Sequence, residues 1–211
     1  HFFLDWAFVE IDKIRALNNI DKLQQGALLV RLKTRQKSID AYKKVGAIAI
    51  AKRIEKEQAA LNKKMITYFK ANFDFCELYF FYTKDTDRLT NGERTGFFLN
   101  DELYADPTLS VDADFYLIAE LDILLEEDVY GNQENMESEL TDATSKTDKP
   151  KAIDRHENTS LTRVLVIKDA ELKQLIAPFP FFVHASFNRT LPKKIKKLNK
   201  KLHHFYTKRV V

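Results

Sequence analysis

The chain of 211 residues contains one cysteine, five glycines, five prolines and one tryptophan. A single thiol closes no intramolecular disulfide, so the fold must rest on a packed core. Gly26, Gly46, Gly92, Gly96 and Gly131 fall into none of the patterns G-x-x-x-x-G-K-[ST], G-x-G-x-x-G or G-x-S-x-G. Nucleotide hydrolysis, dinucleotide binding and α/β-hydrolase chemistry therefore lack the backbone device each one needs. So little glycine and proline also argues against an all-β sandwich or a collagen-like chain. No run reaches the ~18 consecutive apolar residues of a membrane span. Phe2 to Ile11 is interrupted by Asp5 and Glu10 and does not read as a signal peptide. A soluble protein is expected, either cytoplasmic or the mature form of an exported bacterial one.

The five histidines, His1, His156, His184, His203 and His204, form no H-x-x-H, H-E-x-x-H or Cys/His cluster. No metal and no cofactor is expected on that basis. Asp85-Thr86-Asp87 begins like a calcium loop, but Leu89 and Thr90 occupy places where an acidic or amide side chain and a glycine are required.

Present in quantity are hydrophobic residues, at 45% with 16 Phe and 8 Tyr, enough for a sizeable core. Charge is segregated beneath a net value of +3. Residues 1–72 hold 15 Lys/Arg against 7 Asp/Glu, residues 73–158 hold 7 against 22, and residues 159–211 hold 12 against 2. Such blocks either neutralise one another within the fold or meet charged partners.

Hydrophobic periodicity sets the elements. Phe2 to Leu17 reads as an amphipathic helix broken at Asn18-Asn19, followed by a short turn to a C-cap at Gly26. Leu28, Val30 and Leu32 alternate with Arg31 and Lys33, as in a half-buried strand. Helices are expected over Arg35 to Lys44 and over Ala47 to Asn72, the latter with a face of Ile50, Ile54, Leu61, Met65 and Phe69. Glu77 to Thr83 is apolar and aromatic and reads as a central strand buried on both faces. A short strand at Gly96 to Leu99, core strands at Phe115 to Leu121 and Arg163 to Lys168, and an edge segment over Gln174 to Phe187 complete a sheet. Pro178 and Pro180 interrupt that last segment and cannot donate to a ladder. Leu191, Ile195, Leu198, Leu202 and Phe205 give a closing helix that starts at Leu191-Pro192. Residues 126–160 are polar and acidic, expected as a mobile insertion within a single domain over 1–211.

The expected fold is α/β or α+β, a mixed sheet of four or five strands packed by N-terminal helices and a C-terminal amphipathic helix. In element order alone, the closing strand, strand and helix resembles the end of a thioredoxin-like fold, without the redox cysteine pair. That resemblance carries no activity to this chain.

Two classes of function remain from these residues. The favoured one is a non-catalytic binding protein. Its contact surface would be the aromatic segment 178–183, with Phe179, Phe181 and Phe182, or the basic C-terminal helix, with Lys193, Lys197, Lys200 and Lys201. The partner would be an acidic protein or an anionic surface. Nucleic acid is less favoured, since the lysine face carries no arginine for bidentate base reading before Arg209. The alternative is an enzyme using Asp85, Asp87 or Asp112 with His184 as an acid/base set in the 84–114 loops. Cys76, beside no candidate base in sequence, reads as a small apolar residue entering the sheet.

Overall fold

The computed structural model describes residues 14, 15, 17–125, 161–175, 182–184 and 191–208. The start of the expected first helix, the acidic stretch 126–160 and the prolines of the edge segment lie outside these residues. The sequence of elements is α1 (17–24), β1 (Ala27–Leu32), α2 (Gln36–Lys44), α3 (Ile48–Asn72), β2 (Glu77–Tyr82), a 3-10 turn (Thr83–Asp85), α4 (Thr86–Thr90), β3 (Tyr116–Leu125), β4 (Leu161–Lys168), β5 (Phe182–His184) and α5 (Leu191–Lys208).

The strands form one mixed sheet in the order β2-β1-β3-β4-β5. β1 runs parallel to both β2 and β3, with Arg31 opposite Phe81 on one side and Glu120 on the other. β4 is antiparallel to β3 and to β5. An α/β protein with helices packed on a mixed sheet is what the sequence pattern anticipates.

Alternation divides each strand between two cores. On one face Leu28, Val30 and Leu32 join Leu117, Ala119, Leu165 and Ile167 beneath α3 and α5, with Ile20 and Leu23 of α1. On the other, Ala27, Leu29, Phe81 and Ile118 meet Leu89 of α4 and Phe97, Phe98 and Val111 from the irregular stretch between α4 and β3. That second layer is therefore mostly loop, with the one short helix α4. Each fully buried aliphatic or aromatic side chain here stabilises the fold by about 1.5–3 kcal/mol against leaving it exposed.

Several expectations need correction. Asn18-Asn19 does not break the first helix, which runs through both; burying Ile20 and Leu23 outweighs the few tenths of a kcal/mol that asparagine costs a helix. β1, expected as half-buried, is an interior strand between β2 and β3 and is buried on both faces apart from Arg31. The aromatic strand β2, expected at the centre, lies at the sheet edge, where Glu77 is exposed and only Phe80 and Phe81 are fully buried. Its free edge is partly closed where Leu99 N–H donates to Phe80 O at 2.8 Å. Gly96 to Leu99 makes no strand, only bridges at Thr95–Ser110 and Leu99–Ala105. The buried face of α3 is Ala51, Ile54, Gln58, Asn62, Met65, Ile66 and Phe69, and Ile50 is exposed. Gly26 is retained for space: a Cβ there would sit 2.3 Å from the Phe115 carbonyl oxygen.

Candidate functional site

The expected acid/base set is spread across the sheet. Asp85 lies beyond the carboxyl end of β2 and faces Arg88 at 3.8 Å. Asp87 is exposed in α4. Asp112 is exposed, accepts the Ser110 hydroxyl at 2.9 Å and adds its field to Tyr79. Burial, a bond from the Tyr79 hydroxyl to Glu77 and these charges push that phenol up to about 12. His184 ends β5, opposite Val164, at the far edge from β2. Four strand spacings of ~4.8 Å separate those edges by about 19 Å, too far for one hydrogen-bonded group. Among the described residues, no three His, Cys, Asp or Glu side chains gather as a metal ligand set.

Cys76 is half-buried at the entry to β2, and burial pushes its thiol up to about 12. A thiol held protonated in this way is a poor nucleophile.

The basic helix α5 is firmly placed. Leu191, Ile195, Leu198 and Leu202 are buried in the core against α3. Asn199 Oδ1 accepts the backbone N–H groups of Asp74 (3.2 Å) and Phe75 (3.1 Å), and its Nδ2 donates to Asp74 Oδ1 at 2.7 Å. His203 Nε2 lies 2.9 Å from that same oxygen, and its ring packs edge-on against Phe75. These hydrogen bonds hold the Asp74 carboxyl below its ordinary range. The stretch from Asn72 to Cys76 is thus the seat of α5. With the stripe and Asn199 turned inward, Lys193, Lys196, Lys197, Lys200 and Lys201 are exposed. None has a carboxylate within ion-pair distance among the described residues. Phe182 stands in β5 opposite Val166; Phe179 and Phe181 lie outside the described residues.

Sequence reasoning missed a concave site at the carboxyl ends of the parallel strands. A crevice of about 410 Å³ is lined by Arg31, Leu32, Lys33 and Arg35 after β1, Gln58, Leu61, Asn62 and Met65 of α3, and Leu121 and Asp122 of β3. Beneath it Glu120, only 3% exposed, accepts Arg31 Nη1 at 3.0 Å and also pairs with Lys168. Asp122 meets Lys33 at 3.1 Å and Lys168 at 3.6 Å. Arg31 Nε is buried without a hydrogen-bond partner among the described residues. Alternating Arg31 and Lys33, and the later Glu120 and Asp122, are visible in the sequence, but only strand order reveals that they face each other.

No family model, no curated protein and no solved structure matches the chain. The class is set by the fold itself, an α/β protein built on a mixed sheet. No helix among the described residues is long and apolar enough to cross a membrane.

Proposed function

We propose that the protein is a non-catalytic binding protein and that the lysine face of α5 is its contact surface, meeting an acidic protein. The observation that carries this reading is five exposed lysines without a carboxylate partner among the described residues, on a helix pinned by Asn199 and its apolar stripe. Lysines at 193, 197, 200 and 201 recur at helical spacing and so project along one side. The apolar stripe is committed to the core and is not available to enter a bilayer, as an interfacial helix would require. An all-lysine face offers point charges rather than the planar forks that read bases. What remains is recognition by charge, which gives fast and strongly salt-dependent association.

The test is retention of the full chain on immobilised polyglutamate, with duplex DNA and anionic phospholipid vesicles as parallel arms. The reading expects polyglutamate retention that falls with salt and is lost on combining Lys193→Gln, Lys197→Gln, Lys200→Gln and Lys201→Gln, at unchanged melting temperature. Equal retention of wild type and the fourfold variant, or stronger binding to DNA or vesicles than to polyglutamate, rules it out.

A further inference from the structure

We infer that the crevice at the carboxyl ends of β1 and β3 is a binding site for a small organic carboxylate with a short apolar body. Its position follows from topology. The chain leaves β1 through α2 and α3 to reach β2 on one side, then returns to place β3 on the other. The gap between the carboxyl ends of β1 and β3 is therefore the point where the connections diverge, the place at which open α/β sheets bind ligands. At about 410 Å³ the crevice lies in the range of small-molecule sites.

The lining specifies the chemistry. Leu32, Leu61, Met65 and Leu121 supply an apolar wall. Gln58, 8% exposed, and Asn62, 4% exposed, are the two buried polar side chains on α3. Asn62 spends one N–H on Lys33 O at 2.9 Å and accepts Gln58 Nε2 at 3.0 Å. The Gln58 side chain makes no other hydrogen bond among the described residues, so its carbonyl oxygen and second N–H are left for an occupant. That oxygen is not sealed from solvent, so it is open to a donor on an occupant of the crevice. Three cations reach the crevice, but Arg31 is spent on Glu120 and Lys33 on Asp122. Arg35 has no side-chain partner among the described residues.

One uncommitted guanidinium matches one carboxylate through a two-pronged hydrogen bond. Arg35 also holds φ at 56°, a left-handed conformation in which an arginine is strained and a glycine is not. Strain of this kind collects at ligand-binding positions, and it also supplies a clean variant, because Arg35→Gly removes the charge while relieving the backbone.

The probes are 4-phenylbutyrate, its amine counterpart 4-phenylbutylamine, and inorganic phosphate, each titrated into the 15N-labelled full chain. The expected result is saturable shifts from the carboxylate at Lys33, Arg35, Gln58 and Asn62, with no saturable shift from the amine or from phosphate. Arg35→Gly is expected to weaken carboxylate binding by about tenfold or more, the worth of one charge-assisted hydrogen bond, while the melting temperature stays level or rises. Gln58→Leu is expected to weaken it by a smaller factor. The fourfold lysine variant of α5 should bind the carboxylate as wild type does, which separates this site from the helix surface. Absence of shifts in the crevice at about 10 mM carboxylate, weaker than any specific site of this size, overturns the inference. So does equal binding of the amine, or an unchanged affinity in Arg35→Gly.

Discussion

Replacing Glu120 by glutamine tests the charge arrangement under the crevice. Glu120 is 3% exposed and holds two cations, Arg31 and Lys168, whose side chains are each 16% exposed. At an effective dielectric of ~20 and the observed 3.0 Å, the Arg31 pair alone attracts by about 5 kcal/mol before desolvation is counted. Glutamine preserves the shape and one acceptor but removes the charge. Lys168 retains Asp122 at 3.6 Å, so only Arg31 is stranded, its Nε already lacking a partner among the described residues. Breaking a buried pair from one side costs about 3–5 kcal/mol, and the surviving acceptor and single stranded cation place this case near the lower end. Glu120→Gln should therefore lose about 3 kcal/mol in urea unfolding, seen as a midpoint lowered by roughly 1.5 M at a typical slope and no change in the slope itself. Combining Arg31→Met, Glu120→Leu and Lys168→Met removes every stranded charge and should return stability to within about 1 kcal/mol of wild type. A loss below about 1 kcal/mol in Glu120→Gln, or a triple variant less stable than the single one, would refute the reasoning.

Three further outcomes are expected. Gly26→Ala should cost at least about 3 kcal/mol, because the new methyl meets the Phe115 and Lys22 carbonyl oxygens and disturbs the Ala27 N–H to Phe115 O bond; a thermal melt reads it. Asn199→Ala should cost about 1–2 kcal/mol by leaving the Asp74 and Phe75 N–H groups without their acceptor, with faster amide exchange along α5. Cys76 should react with a disulfide reagent near neutral pH about a thousandfold more slowly than an unfolded thiol, its pKa standing at about 12 against an ordinary 9.0. Because the folded thiol holds its proton, the same shift leaves stability unaffected below pH 9.0. Above that, stability falls until about pH 12, as the unfolded state ionises first.

The elements were largely legible in the sequence, and their neighbours were not. Periodicity placed α3, β4 and α5 within a residue or two because each buries a continuous stripe. The ranks of β1 and β2 came out reversed for a physical reason. An aromatic run looks central, yet Tyr79 and Tyr82 tolerate an edge, with Tyr82 donating to Leu103 O at 3.0 Å. Conversely, Arg31 looked solvent-facing because its partner, Glu120, lies 89 residues away. The crevice was invisible for the same reason: Arg35, Gln58 and Asp122 become one site only after strand order is fixed. The lysine face of α5 was readable because helix and charge are both local.

The placement of β1 has a kinetic meaning. Its neighbours enter the chain some 50 and 89 residues later, through Arg31 opposite Phe81 and opposite Glu120, and Asn199 closes on backbone 125 residues upstream. Each contact demands closure of a long loop before any burial rewards it, so assembly of this sheet is intrinsically slow. Until both neighbours arrive, Leu28 to Leu32 is a short apolar strand with two open edges, the segment a folding chain most needs to keep from pairing with a stranger.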